Sequence, residues 1–329
     1  MRKRYLITGG AGFVGSHVVA ALLEQNAECV VLDNLSTGHQ QAVLPGAQLI
    51  VGDLACQDTV DRVVGDGHWD AVYHFAAKSL VGESMQNPFL YLHDNVDNGT
   101  RLIEACVRNK VGGFVFSSTA ALFGQHTGGP IDETTPINPD SPYGESKWAI
   151  ERVLHWAHRV HGLRSACMRY FNACGSDPLG RMGEDHYPET HLIPLVIDAG
   201  LGRRDHLKVF GSDFATRDGT AVRDYIHVSD LADAHVRVLD HMLDGCNKFN
   251  LGTGAGHSVL DVIEAVERQL GRRVPHEVVG RRLGDPAMLV ASSVQMRART
   301  GWRPRFESLD AIVQTALNWR QSHPSGFAV

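Results

Sequence analysis

The stretch "YLITGGAGFVGSHVVAALLEQN", Tyr5 to Asn26, decides how the rest of the chain is read. It begins with a short, near-continuous apolar run, the mark of a strand buried on both faces. Gly9, Gly12 and Gly15 follow, and then apolar residues recur with helical spacing. Strand, glycine turn and helix in direct succession open a βαβ unit. At such a junction glycine lets the backbone approach a pyrophosphate, while the helix N-terminus offers unpaired N–H groups to its charge. All three glycines are therefore expected at the cofactor. No Gly-Lys-Ser/Thr ending follows, so a phosphate-transferring loop is excluded.

The same texture continues outward. "ECVVLDN", "LIVGDL", "DAVYHFAA", "GFVFSST" and "SACMRYFNA" read as further buried parallel strands. "GTRLIEACVRN" and "SKWAIERVLHWAHRVHG" lie between some of them as amphipathic helices. The alternation predicts an α/β fold: a doubly wound (Rossmann) parallel sheet over 1–175, joined by a smaller C-terminal α/β lobe over 176–329. Residues 220–250 are expected to return to the first domain, because the long apolar stripe of "GTAVRDYIHVSDLADAHVRVLDHML" needs a sheet to cover it. "GSDPLGRMGEDHYPETHLIP" is dense in Gly, Pro and charge and reads as a long functional loop.

Bulk properties narrow the function. Of 329 residues, 43% are hydrophobic and 21% charged, and the net charge is -6, which gives no basic footprint for nucleic acid or an anionic membrane. The basic start breaks at Gly9 before a signal-peptide core forms, and no window is long enough to span a membrane. Six scattered cysteines without paired short spacing read as reduced residues of a cytosolic protein.

Asp33 closes the second strand, ~20 residues beyond the glycine turn, where an acid hydrogen-bonds the adenosine ribose hydroxyls. It would repel a 2′-phosphate, and "NLSTGH" after it holds no arginine to welcome one, so the cofactor is expected to be NAD rather than NADP. Asp53 in "GDL" would reach the adenine, and Phe75, Ala76, Ala77, Lys78 and Ser79 would line the nicotinamide half, since ligands bind at the carboxyl ends of such strands.

"SPYGESKWAIERVL", 141–154, reads as the start of a helix and sets Tyr143 and Lys147 on one face. A neighbouring ammonium favours phenolate, which would make Tyr143 a usable proton acceptor. Upstream, Ser117, Ser118 and Thr119 end a strand. Glycine turn, strand-end hydroxyl and Tyr-x-x-x-Lys together resemble the extended, sugar-nucleotide branch of the short-chain dehydrogenase/reductase superfamily. The likeness runs nearly the whole chain, through "LDNLS", "HFAA", "VGES", "RYFNACG", "MGED", "HLIP", "DGTAVRDYIHVSDLADAH" and "NLGTG", and it is strongest for the nucleotide-sugar 4-epimerases.

That resemblance implies an activity: Tyr143, with Lys147 and Thr119, removes the 4-hydroxyl proton of UDP-glucose or UDP-galactose as C4 yields hydride to NAD. The 4-keto sugar then turns over and takes hydride on its other face. It further implies cofactor contacts from Phe13, Val14, Asn34, Leu35, Ser36, Thr37, Gly38, Leu54, Asp94, Ser117, Tyr170 and Phe171. Substrate contacts are implied for Asn172, His191, Leu192, Lys208, Val209, Phe210, Arg223, Tyr225, Arg282, Asp285 and Leu289. A homodimer through 95–110 and 143–160 is expected. Leu289 is smaller than the tyrosine of stricter relatives, so a UDP-N-acetylhexosamine or UDP-pentose stays open as substrate. A 4,6-dehydratase would need an Asp-Glu pair where Ala120 and Ala121 stand, and a non-catalytic NAD sensor would have no use for an activated phenol. His186 and His191 could suggest a metal pair, but no carboxylate–histidine helix motif accompanies them, and no metal is expected.

Overall fold

The structure, a computed structural model, describes residues 2–126, 128–282 and 285–327. Strands β1 (Arg4–Thr8), β2 (Glu28–Asp33), β3 (Ala47–Val51), β4 (Ala71–His74), β5 (Phe114–Thr119) and β6 (Ser165–Tyr170) form one sheet. A late strand, Cys246–Leu251, completes it beside β6; numbered in chain order after β7 (Asn172–Cys174), β8 (Leu207–Phe210) and β9 (Val222–His227), it is β10. The order is β10-β6-β5-β4-β1-β2-β3, and every pairing is parallel.

Two apolar cores explain why the strands lack alternation. Ile7, Val31, Tyr73 and Met168 pack on one face with Val18, Val19 and Leu22 of α1 (Phe13–Glu24). Leu6, Val30, Leu32 and Cys167 pack on the other, over α2 (Gln57–Val64) and two later helices described below. Both faces are covered, so apolar residues run through the strand centres without alternating. The strand order reverses between β1 and β4, which places a crevice at the carboxyl ends of the strands.

The chain then runs through short helices α3 (Val81–Ser84) and α4 (Pro88–Tyr91), a π-helical turn at Leu92–Asp97, and α5 (Asn98–Arg108). Helix α6 (Pro142–His161) starts where its sequence dictates: Ser141 Oγ accepts from Gly144 N at 3.2 Å, Pro142 occupies the first turn, and Gly162 ends it at φ +75°. Ile150 and Leu154 of α6 and Leu102 and Ile103 of α5 complete the second core.

Beyond β7, helices α7 (Leu192–Gly200), α9 (Val259–Leu270) and α11 (Leu309–Ser322) share a separate core that includes Ile193, Val196, Val262, Ile263, Ile312 and Val313. Strands β11 (Gly256–Ser258) and β13 (Met288–Leu289) flank β9, and β12 (His276–Val279) pairs with β8. Helix α8 (Val228–His241) instead packs on α1, and α10 (Val294–Thr300) packs on α8. No helix among the described residues is long and apolar enough to cross a membrane.

Candidate active site

The glycine turn is shaped by contact. Gly9 takes φ +73°, and a Cβ there would fall 2.4 Å from Ala76 N, so only glycine lets β1 and β4 close beneath the turn. At Gly12 a Cβ would meet only Gly9 O, at 3.4 Å, leaving the first turn of α1 open for a pyrophosphate. Gly15 is required for packing. It is buried within α1, and a Cβ there would fall 2.2 Å from Gly9 O and 3.0 Å from Gly10 Cα. The missing side chain of Gly15 therefore lets the helix pack closely on the end of β1.

Asp33 ends β2 and is nearly buried; its Oδ2 accepts from Ala11 N at 3.0 Å and its Oδ1 from Leu35 N at 2.9 Å. Leu35 sits at φ +57°, strained for leucine, so the turn after β2 is held by its surroundings in the form that aims this carboxylate. Each carboxylate oxygen has a second lone pair for a ribose hydroxyl. Asp53 Oδ1 accepts from Ala55 N at 2.7 Å and its Oδ2 from Asn34 Nδ2 at 2.9 Å, which holds its carboxyl below the usual range. Leu54 beside it is buried in the second core, so its side chain is not a cofactor contact. The polar groups of this half fit a dinucleotide carrying free ribose hydroxyls.

Further along the crevice, α6 delivers the Tyr143–Lys147 pair. Lys147 is buried, and its Nζ donates to Ser117 O at 2.9 Å while lying 5.0 Å from the Phe116 ring centroid and 5.9 Å from that of Tyr143. Thr119 stands beside the half-buried Tyr143 and accepts from Ala121 N at 3.1 Å. Ser117 Oγ shares a 2.6 Å hydrogen bond with the Tyr170 hydroxyl, and Tyr91 meets Tyr143 edge-on at 6.3 Å. Behind them Ser118 Oγ donates to Glu151, which forms a fully buried ion pair with Arg169 at 2.6 Å.

One expectation is reversed. Burial pushes the Tyr143 phenol above its ordinary value, with the Thr119 hydroxyl pulling the other way, and burial brings Lys147 down to about 7. The ammonium is turned to the carbonyl of Ser117 rather than to the phenol. Desolvation therefore governs both groups in this structure.

The second lobe gathers most of the remaining candidates. Pairing of β7 with β9 sets Asn172 beside Tyr225, and pairing of β13 with β9 sets Leu289 beside Arg223. Tyr225 itself is buried in the core of this lobe. Arg223 Nη2 is paired with Asp285, and Arg282 lies over the Phe210 ring at 3.9 Å. Lys208 and Phe210 point to one side of β8, but Val209 is 1% exposed and belongs to the core, so only its backbone can meet a ligand. Leu289 packs with Phe171 and Leu122. The His191 imidazole is turned to Glu184, at 2.6 Å. Burial alone would lower its pKa, but the carboxylates of Glu184 and Glu189 outweigh that and raise it to about 10.

Residues 5–252 match the family described as NAD dependent epimerase/dehydratase. The UDP-glucose 4-epimerase of Halalkalibacterium halodurans is 46% identical over 98% of this chain and 97% of its own. A Brucella ovis UDP-glucose 4-epimerase solved with NAD superposes with a TM-score of 0.93, at 41% identity over 96% of this chain and 98% of that one. A Bifidobacterium longum UDP-glucose 4-epimerase solved with NAD+ and UDP gives 0.94, at 34% identity over 99% and 100%. The chain belongs to the NAD dependent epimerase/dehydratase family. NAD is its cofactor, as Asp33 indicates.

Within the epimerase frame, one residue escapes the sequence reading. Asp94 is the acid expected at the cofactor, but the buried group of that π-turn is Asn95: its Oδ1 accepts from Lys78 N at 2.8 Å, and its Nδ2 donates to Lys78 O at 3.0 Å and to Ser146 Oγ at 2.9 Å. Asn95 thus ties the 75–79 segment to α6, and Asp94 is only half-buried. An asparagine in this position gives no periodic signal; the π-helical turn that aims it is what sequence spacing does not reveal.

Proposed function

We propose that the protein interconverts UDP-glucose and UDP-galactose by inverting C4. The observation that carries this reading is the placement of Tyr143 beside Thr119 at the carboxyl edge of the parallel sheet, with Lys147 one helical turn along α6 and fixed by Ser117 O. NAD, when bound, supplies the hydride acceptor and donor for C4 and a cationic ring beside the site. Tyr143 takes the 4-hydroxyl proton and returns it, and Thr119 shares that proton and positions the 4-oxygen. Lys147, held by Ser117 O, keeps two further N–H donors for ribose hydroxyls and for orienting Tyr143. Ala120 and Ala121 offer no acid or base for dehydration, so the keto sugar is reduced rather than dehydrated.

The sugar must turn over while its nucleotide stays fixed, and the lobe over 176–329 supplies the hold. Arg223 and Arg282 take the pyrophosphate oxygens as guanidinium forks, Asp285 the uridine ribose, Phe210 the uracil face, and the 191–192 segment covers the linkage. Each arginine exchanges a present partner for the ligand, Arg223 leaving Asp285 and Arg282 leaving Phe210. The half-buried Leu289 leaves room beside the sugar, which favours an N-acetylhexosamine nucleotide as second substrate. Met85, Phe89, Trp156 and Val160 are exposed apolar side chains around α3, α4 and α6, and they support a homodimer through these helices. The buried free cysteines support a cytosolic setting.

A panel of UDP-hexoses, UDP-N-acetylhexosamines and UDP-pentoses, with products resolved by NMR, tests the substrate assignment. Equilibration of UDP-glucose with UDP-galactose is expected; no turnover of that pair beside turnover of another would replace it.

A further inference from the structure

The loop between β7 and α7 carries Glu184, His186, Glu189 and His191, a Glu-x-His-x-x-Glu-x-His pattern that the epimerase chemistry does not use. Without a helix motif, the pattern does not read as a metal site in the sequence. The fold assembles the four groups without a helix: one ligand atom from each lies within 4.8 Å of all the others. His186 Nδ1 stands 3.5 Å from Glu184 Oε1 and 3.6 Å from Glu189 Oε2, and His191 Nδ1 stands 2.6 Å from Glu184 Oε1 and 3.4 Å from Glu189 Oε1. Ligands about 2.0–2.1 Å from a tetrahedral zinc are about 3.3–3.4 Å apart, and three of these four histidine–carboxylate separations are close to that spacing. To hold an ion the short Glu184–His191 contact has to open, and Glu189 has to present one oxygen to the ion that both imidazoles share.

Three of the facing atoms have no hydrogen-bond partner outside the cluster, while Glu189 Oε1 also accepts from the backbone N–H groups of Thr190 and His191 at 2.8 and 2.9 Å. Glu184 is 3% exposed, and its Oε1, His186 Nδ1 and Glu189 Oε2 are buried facing one another. Buried polar atoms are rarely left so, and three converging on one point suit a shared cation. The loop itself is well anchored around them. Trp319 Nε1 donates to Glu184 O at 3.2 Å, His39 Nε2 lies 3.1 Å from Asp185 O, and the Phe13 ring meets His186 edge-on at 6.2 Å.

We propose that Glu184, His186, Glu189 and His191 bind one divalent transition-metal ion, Zn2+ by donor type, in a closed structural site that clasps this loop between the glycine turn and the start of α7. Two imidazoles and two carboxylates make a borderline donor set that favours Zn2+ over Mg2+ or Ca2+, and the two carboxylates neutralise its charge. With four protein ligands no position is left for a reacting water, so the ion has no part in proton or hydride transfer. This assignment gives the His191 imidazole a role other than substrate contact.

The test uses the full chain, stripped with a chelator and then titrated with Zn2+ against a chromophoric competitor, alongside Co2+ substitution. One Zn2+ per chain, a rise of several degrees in Tm, and the intense visible bands of four-coordinate Co2+ are expected. Glu184→Gln and His191→Asn should each lose more than about 100-fold in Zn2+ affinity, beyond the 10–100-fold that an outer-shell partner is worth. Unchanged affinity in both variants, or less than one equivalent bound by the parent chain, overturns the proposal. Should a variant misfold, the Co2+ spectrum of the parent chain decides, and weak six-coordinate bands there count against the site. None of these readouts depends on turnover, so the epimerase reading stands or falls separately.

Discussion

The two halves of the crevice hold their ligand-facing groups in different ways. On the dinucleotide side Asp33 is fixed by Ala11 and Leu35 backbone N–H groups, Lys147 by Ser117 O, and the 75–79 segment by Asn95. These contacts can persist when a ligand is present. On the sugar side Arg223 is paired with Asp285, and Arg282 covers Phe210, so each proposed ligand contact must replace an internal one. A site that is already organised loses little ordering entropy on binding, whereas one that must exchange partners gives part of its interaction energy back. The difference suits the chemistry: a cofactor restored in every cycle can remain, while the nucleotide sugar has to leave.

The harshest way to break this comparison is at the proton-transfer group. Tyr143→Phe should keep NAD through purification yet lower kcat by about 10²–10⁴, the usual worth of a positioned acid–base; loss of NAD together with activity would mean that Tyr143 is structural. Next comes Arg223→Ala, expected to raise KM for UDP-galactose about 10- to 100-fold, since a charge-assisted hydrogen bond is worth about 1.5–3 kcal/mol, with NAD retained. A fall in kcat at constant KM would contradict its assignment to ground-state binding. Asp33→Asn should weaken NAD about 10-fold, as one charge-assisted hydrogen bond becomes neutral, read by calorimetry on stripped protein.

The smallest effect is on stability. Burial takes Lys147 to about 7 in the folded chain, below its ordinary ~10.4, so between these values the unfolded chain binds more protons. Stability should therefore gain from rising pH through that window and be flat below about 7, where the cost of burying the charged amine is fully present. Lys147→Met removes this component, so the difference in Tm between the stripped parent and variant should vary with pH only above about 7; a difference flat from pH 6 to 10 would place Lys147 as a charged group throughout.

Local spacing made much of this legible. The glycine turn, Asp33 and the Tyr143–Lys147 pair are set by one strand, one turn and one helix, so spacing alone put them on the right elements. Spacing did not separate the glycines by role: Gly12 opens toward a ligand and Gly15 toward Gly9 O, a difference that only the helix's approach to the turn decides. The buried strands declared themselves because both sheet faces are covered and their apolar residues do not alternate with polar ones. Long-range pairings left no such trace: β7 joins β9 across about 50 residues to bring Asn172 to Tyr225, and only the family resemblance anticipated that neighbourhood. Val209 shows the limit of carrying a segment over whole, since strand alternation turns it inward between Lys208 and Phe210. The reversed phenol and the Glu184–His191 cluster were hidden for a shared reason: desolvation and loop packing act through neighbours distant in sequence.

A single titration goes to the centre of the proposal, which is that Tyr143 becomes an effective base only beside a cationic nicotinamide. The ultraviolet difference spectrum between parent and Tyr143→Phe, followed against pH, isolates this one phenol. In stripped protein it should ionise above the ordinary tyrosine value of ~10, and in NAD-loaded protein it should move below that value toward neutrality. Ionisation above ~10 in both forms would contradict the assignment of Tyr143 as the group that takes the sugar's proton.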